Sequence, residues 1–497
     1  MASTSRSPWV IGLDLGTTTC KALAVDEHLR VLAQTSASYA LITPHPGWIE
    51  QSAQDVWKGV LAALRELGQL LPLGEAQALG LSGAMHSLLP VDGGGEPLGP
   101  AWTWADERAA PQAAALRTRA ESAELYARTG CPVQTVYWPA RLRWLQENTP
   151  ELVQAAAYFV GLKDWLLLRL SGKWATDWSL ASSTGLLDLR TLRWDEQALA
   201  LAGINAERLP ALVNPAEVVG KVTTLAARET GLAEGLPLVA GGSDGALAML
   251  GACATNPGQG VITVGTSGAV RLGAERPLLD PQERTWCYVL RKERWFAGGA
   301  INNGGLAVQW VRERFYSGLN DAEAYPRLFA EAADVPPGSQ GLLFLPYFTG
   351  ERSPHWDTGA RAALLGMGLE HNRGAIARAA LEGVAFCLAD IWEVLAPWRP
   401  GAVETALTGR ITQWPLWCQI MSDVLGAPLS AEEGADASPL GAAMLALNAL
   451  GIHTPPHKSG DESASQRHYR PDPVTHDLYH QRHRAFQQAY NAVRPLS

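Results

Sequence analysis

The chain has 497 residues and is 47% hydrophobic, enough for large buried cores and, by length, for two to four domains. Its 40 basic and 49 acidic residues leave a net charge of −9 with no basic block, which argues against nucleic acid or an anionic membrane as a partner. Met1 to Pro8 lacks the apolar segment of a secretion signal and no apolar run approaches membrane-spanning length. The six cysteines show no CxxC spacing, so a cytoplasmic protein with reduced thiols is expected rather than a disulfide framework or zinc site.

A predicted β-hairpin opens the chain. Residues 9–15 and 20–25 are apolar runs flanking Gly16, Thr17, Thr18 and Thr19. Backbone N–H groups and hydroxyls in such a turn can wrap phosphate oxygens, and Gly16 lets the backbone come close. Asp14, at the end of the first run, could hold a metal-bound water. No Walker loop is present. A third strand-like run, 30–36, precedes a helix announced by a capping pair, Ser52 and Asp55, with Val56, Val60, Leu64 and Leu67 on one face. Two further β-runs, 78–81 and 101–104, lead into Ser82-Gly83-Ala84-Met85-His86-Ser87 and Ala105-Asp106-Glu107-Arg108. Taken singly, His86 reads as a structural histidine, Asp106 as a helix-start acid and Arg108 as a surface base. Residues 110–235 read as mostly helical, with core stripes (Leu142, Leu145; Trp165, Leu166, Leu170) and a loop at 172–184.

The stretch that organises the rest is Gly241-Gly242-Ser243-Asp244-Gly245. An apolar run, 236–240, leads into it and a helical pattern with Leu247 and Leu250 follows. Asp244 therefore stands where a strand gives way to a helix, the usual place for a working side chain in an α/β protein. The plainer alternative is that Ser243 or Asp244 caps the helix. After a break at Asn256-Pro257-Gly258, residues 261–272 repeat the opening design around Gly265, Thr266, Ser267 and Gly268. Two copies, one starting each half, suggest two domains of related topology with a nucleotide between them. A run at 403–407 enters Thr408-Gly409-Arg410, and Tyr479, Phe486 and Tyr490 mark a final amphipathic helix. Six of the eleven histidines (His453, His457, His468, His476, His480, His483) fall in 451–484, where they read as a solvated tail rather than a metal site.

Together, in this order and spacing, DLGTTTCK, SGAMHS, TWADER, GGSDGALAMLGA, VGTSGA, INNGG, LPYFTGERSP and LGAAMLAL resemble the FGGY family of carbohydrate kinases over about residues 9–450. SGAMHS and TWAD look most like its gluconate kinase branch, with xylulose kinases next. The resemblance implies an α/β fold of two actin-like, ribonuclease H-like (hexokinase-type) domains, residues 8–250 and 251–495, with an inter-domain cleft. It also implies ATP and Mg²⁺ as cofactors, a small-molecule sugar or sugar acid as partner, and a homodimer as the candidate assembly. Residue by residue, Asp244 matches the catalytic base and, with Asp14, the Mg²⁺ site, Asp14 acting through water. Thr17, Thr18, Thr19 and Lys21 match the first phosphate hairpin, Gly265 and Thr266 the second. Gly305 and Gln309 match positions near the nucleotide phosphates and ribose, Gly409 and Arg410 the adenosine loop. Met85, His86, Asp106, Arg108 and Gly245 match the sugar pocket, with Arg108, His86 or Arg141 to pair a substrate carboxylate.

Three features depart from the family pattern, the first being Gln134-Thr135-Val136-Tyr137-Trp138-Pro139, which does not match the gluconate kinases. Arg141 replaces a usual lysine, and Arg410 replaces the second glycine of the adenosine loop. The implied reaction is ATP-dependent phosphorylation of a sugar or sugar-acid hydroxyl, gluconate to 6-phosphogluconate first, xylulose or another ketose or polyol second. An actin- or chaperone-type ATPase switch and a sugar-binding pseudokinase are the alternatives of another class. SGAMHS and TWADER speak against the switch, and Arg410 is the only feature favouring the pseudokinase.

Overall fold

A computed structural model describes residues 7–119, 121–399, 401, 404–432, 436–453 and 466–496. The expectations for His457 and for Val403 lie outside the described residues. β1 (Trp9–Leu15) and β2 (Thr19–Asp26) pair antiparallel, and the Gly16 N–H donates to the Thr19 carbonyl across the turn at 3.0 Å. β3 (Val31–Ser38) extends this hairpin on one side. On the other, β4 (Leu79–Gly83) and β6 (Pro237–Ser243) add parallel strands, and β5 (Val218–Lys221) closes the edge antiparallel, giving the order β5-β6-β4-β1-β2-β3.

The second sheet contains β7 (Gly260–Val264), β8 (Gly268–Ala274), β9 (Trp286–Arg291), β10 (Arg294–Ile301), β11 (Thr405–Thr408), β12 (Leu429–Glu432) and β13 (Gln466–Tyr469), ordered β9-β10-β8-β7-β11-β12-β13. Setting aside β9 as an added edge, the plan is that of the first sheet. A central strand has two antiparallel neighbours on one side; on the other lie two parallel strands and an antiparallel edge. The two Gly-Thr turns thus mark a repeat of topology.

Helices cover the sheets with apolar faces. In α1 (Ala53–Leu70) the Ser52 hydroxyl accepts from the Asp55 N–H, and Val56, Val60, Leu64 and Leu67 are buried. α2 (Asp244–Gly251) follows β6 directly. α3 (Gly305–Phe315), α4 (Arg373–Val394) and α5 (Pro415–Leu425) belong to the second half of the chain, and α6 (Ala437–Ala449) returns from it to lie on the first sheet. Its backbone comes so close that a Cβ at Gly12 or Gly80 would overlap the Pro439 or Ala442 carbonyl. α7 (Pro473–Val493) packs on α5 and α4.

Several expectations need correction. The loop expected at 172–184 contains a strand, Ala175–Asp177, and a short helix, Trp178–Ser182, whose Ser179 and Leu180 N–H groups donate to the Asp177 carboxylate. The region 110–235 also holds strands such as Tyr158–Val160, which pairs with Leu89–Val91; local periodicity does not register a partner so distant in sequence. The histidine segment is not uniformly solvated. His453, His468 and His480 are exposed, but His483 is buried, 2.8 Å from Asp390 and 3.3 Å from Glu393. It shares the core face of α7 with Tyr479, Phe486 and Tyr490, at helical spacing. All six cysteines are free thiols, and no described helix is long and apolar enough to cross a membrane.

Candidate active site

Three parallel strands, β1, β4 and β6, end at one edge of the first sheet. Their register sets Asp14 beside Ser82, and Ser82 beside Gly242. The Ser82 hydroxyl donates to the Asp14 carboxylate. Burial pushes Asp14 up to about 6, against the Ser82 hydrogen bond, and the nearby negative charge of Asp244 adds to the rise. Ser243 is the helix cap, its hydroxyl accepting from the Ala246 N–H. Asp244 is thereby left to face the site, with its own Gly245 N–H donating to it at 2.7 Å. Burial raises its carboxyl above the usual range, while Arg271 opposes the rise.

The strand end that carries Asp244 is held from behind. Buried Lys163 donates to the Ala240 carbonyl at 2.9 Å and pairs with Asp177 at 3.1 Å. The Ser179 hydroxyl accepts from the Ser243 N–H at 2.8 Å. Gly241 takes φ +73°, and a Cβ there would run into the Leu81 backbone, so the bend requires glycine.

The first turn is braced rather than free. Thr17 accepts from Trp104 Nε1 through its hydroxyl at 2.9 Å and from Gln51 through its carbonyl at 2.7 Å. Thr18 is exposed, Thr19 half-buried, and Lys21 pairs with Asp436 at the start of α6 at 2.7 Å. At the second turn the Gly305 N–H donates to the Gly265 carbonyl at 2.7 Å. Gly265, Thr266, Gly305, Gln309 and Arg410 line one cavity of about 120 Å³, closed by Tyr325, Phe329 and Trp414, the last two stacked at 4.0 Å. Gly409, next to Arg410 in the chain, adopts φ +87°, and Arg410 is exposed. Residues far apart in sequence thus converge on a slot with an aromatic wall and a Gly-Thr floor, which fits a nucleotide.

On the other side of Asp244 lie Met85 and His86. Met85 Cε would lie 3.0 Å from a Cβ at Gly245, so this glycine keeps the pocket open. His86 Nδ1 donates to the Ser183 carbonyl at 2.8 Å, which leaves Nε2 as an acceptor. Burial, helped by Arg141, holds the imidazole down at about 3, so it is neutral. Its ring meets Tyr137 and Tyr288 edge-on.

The cations expected to pair a carboxylate are engaged elsewhere. Arg108 pairs with Asp106 at 2.6 Å and Glu50 at 2.5 Å, and its guanidinium lies between the Trp48 and Trp102 rings. Asp106, buried, also accepts from the Ile49 N–H. Arg141, fully buried, donates to the carbonyls of Thr135, His86 and Thr103. Arg108 and Arg141 thus have partners within the protein and His86 is neutral, so none of the three stands as a free cation for a substrate carboxylate. Arg271, whose Nε would lie 3.0 Å from a Cβ at Gly245, is instead the cation that holds the Asp244 carboxyl down, with a smaller effect from Arg352. Arg271 is a lone cation in the apolar run 269–272, a signal that could have flagged it; Arg352 lies in a turn-rich segment that gives none.

Asp14 and Asp244 offer hard oxygen donors at the ends of β1 and β6, on either side of β4, and their mutual repulsion is what a divalent cation relieves. The pair therefore fits Mg²⁺.

Residues 9–251 match the N-terminal domain of the FGGY family of carbohydrate kinases, and residues 260–450 its C-terminal domain. A gluconokinase of Bacillus subtilis (strain 168) is 34% identical over 452 residues, 89% of this chain and 88% of that one. A xylulose kinase of Escherichia coli (strain K12) is 30% identical over 493 residues, 98% of this chain and 99% of that one. The crystal structure of gluconate kinase from Lactobacillus acidophilus superposes with a TM-score of 0.90 at 30% identity, covering 98% of this chain and 99% of that one. With two related mixed sheets, two carboxylates at the strand ends flanking β4 and this likeness along nearly its whole length, the chain has the two-domain, actin-like fold of a sugar phosphotransferase and belongs to the FGGY family of carbohydrate kinases.

Proposed function

We propose that this carbohydrate kinase transfers the γ-phosphoryl group of ATP to gluconate, giving 6-phosphogluconate. The observation that carries the reading is the pairing of Asp244 and Asp14 at the ends of β6 and β1, between the two Gly-Thr turns. Asp244 takes the proton of the attacking hydroxyl, and its raised pKa suits a general base better than an ordinary aspartate. The turn at Thr17, Thr18 and Thr19 and that at Gly265 and Thr266 orient the phosphates, with the base of the nucleotide in the slot lined by Trp414 and Arg410. Asp14 and Asp244 would hold Mg²⁺, which would neutralise phosphate charge when bound. Neutral His86 accepts a sugar hydroxyl at Nε2, and Gly245 and Met85 shape the pocket beside it. The division into domains 8–250 and 251–495 and a cytoplasmic place of action belong to the same proposal, α6 anchoring the second domain on the first.

Gluconate is favoured by the higher identity of the gluconokinase, 34%, over the xylulose kinase, 30%; a ketose such as xylulose is the second reading, favoured by the likeness to the xylulose kinase along nearly the whole chain. A coupled ADP-release assay over gluconate, other aldonic acids, xylulose and glycerol tests the choice. Gluconate should give the highest kcat/KM, by at least about tenfold. A preference for xylulose, or no turnover of any aldonic acid, overturns it.

A further inference from the structure

β6 does not run straight into Asp244. It pairs with β4 in register up to Val239, opposite Gly80, and again from Gly242, opposite Ser82, so Ala240 and Gly241 together face Leu81 alone. Such a bulge bends a strand and re-aims the side chains beyond it, here those of Ser243 and Asp244. It also takes backbone groups out of the ladder, and each buried one needs another partner. The Ala240 and Gly241 N–H groups donate to the Glu217 and Pro215 carbonyls, at 2.9 Å each. The Ala240 carbonyl accepts from Lys163 Nζ at 2.9 Å. Lys163 stands in the first turn of the helix Leu162–Ser171, and its side chain is 0% exposed. Its Cβ would lie 2.7 Å from a Cβ at Gly83, so it also presses on the end of β4, two residues before Met85.

An ammonium has three donors, and those of Lys163 face the Ala240 carbonyl, Asp177 at 3.1 Å and Asp164 at 3.4 Å. Asp177 accepts from the Ser179 hydroxyl at 2.7 Å, and that hydroxyl oxygen accepts from the Ser243 N–H. Lys163 is therefore tied to the strand end by two routes, one at the bulge and one at the residue just before Asp244. We propose that Lys163 is a positioning residue for phosphoryl transfer: it fixes the bulge, and the bulge sets the Asp244 carboxylate where the acceptor hydroxyl meets it. This rests on the reading of Asp244 as the base. With no exposed surface, Lys163 meets neither substrate and acts through Asp244. A buried ion pair adds little net stability, because desolvation offsets the attraction, so what this one contributes is a single geometry. Misplacing a reacting group by about 1 Å costs on the order of 10²-fold in rate.

The test makes Lys163→Met and Lys163→Met/Asp177→Asn, each in wild type and in Asp244→Asn, and follows the acceptor that wild type turns over fastest. The second variant also removes the charge left facing the missing cation, while asparagine keeps an oxygen for the Ser179 and Leu180 N–H groups. With Asp244 present, kcat should fall about 10- to 100-fold, KM for ATP and the calorimetric Kd of the acceptor staying within about threefold. In Asp244→Asn the same changes should cost less than about twofold further, because the position of an absent base no longer matters. Wild-type kcat in a folded variant overturns the proposal. So does an equal loss with and without Asp244, which makes Lys163 a support of the core alone. Should neither variant fold, hydrogen exchange in wild type decides. The Ala240, Gly241 and Ser243 N–H groups should exchange as slowly as the rest of β6, and exchange about tenfold faster at the bulge overturns a fixed geometry. If Asp244→Asn keeps near-wild-type turnover, the reading of Asp244 falls and this inference with it. If Asp244→Asn is crippled and Lys163→Met is not, this inference falls alone.

Discussion

Replacing Asp14 by asparagine should stabilise the metal-free protein while disabling it. The carboxyl ionises near 6 in the folded chain, against an ordinary 3.8, chiefly because it is buried. A folded-state pKa above the unfolded one means that the native state binds the proton more tightly. The resulting penalty is absent below pH 3.8, grows as pH rises to about 6 and is constant above. At about 1.4 kcal/mol per pH unit, the ionised carboxylate costs the fold about 3 kcal/mol at pH 7.5 and about half that at pH 5. Asparagine removes the charge yet keeps an oxygen for the Ser82 hydroxyl to bond. Thermal unfolding in EDTA should therefore show Asp14→Asn above wild type by roughly 3–6 °C at pH 7.5, with a smaller gain at pH 5. Excess Mg²⁺ should narrow the gap by stabilising wild type. A variant less stable than wild type at pH 7.5, or a gain of equal size at both pH values, would refute the reasoning.

Two other changes probe separate parts of the molecule. Arg410 stands at the rim of the nucleotide slot, placed to stack on the base, so Arg410→Ala should raise KM for ATP about 2- to 30-fold with kcat little changed. Tighter ATP binding in the variant would show that arginine obstructs the slot. His483, raised to about 9 by Asp390 and Glu393 against its burial, contributes stability that is complete below pH 6.5 and lost as pH climbs through 9. The unfolding temperature of wild type should fall across that window and that of His483→Gln should stay flatter; parallel curves would dismiss the ion pair.

Features written locally were legible in the sequence. An apolar run stopped by glycine and threonine marks a strand end, so the two turns, Asp14 and Asp244 could be found at 9–25, 236–250 and 261–272 without knowing their neighbours. The repeat of sheet order followed from the same marks. What the sequence concealed is long-range convergence. Nothing near Arg108 in the chain announces that Trp48 and Glu50 will claim its guanidinium, and nothing near Arg352 announces Trp104. Lys163 carries no local mark of its place, yet it is buried against Asp177 and the Ala240 carbonyl, behind the strand that delivers Asp244. His483 was read among the histidines, whereas its register with Tyr479, Phe486 and Tyr490 assigns it to the core. The glycines at 12 and 80 gave no hint of their neighbour, because α6 arrives from more than 350 residues downstream.

The role of Asp244 is tested most directly by measuring turnover and gluconate binding on the same preparation of Asp244→Asn. Asparagine keeps the shape and the bond from the Gly245 N–H but cannot accept the hydroxyl proton. Turnover should drop about 10²–10⁴-fold, while calorimetry finds gluconate bound within about threefold of wild type. Near-wild-type turnover would contradict the account, because the carboxylate between the two turns would then not be the base.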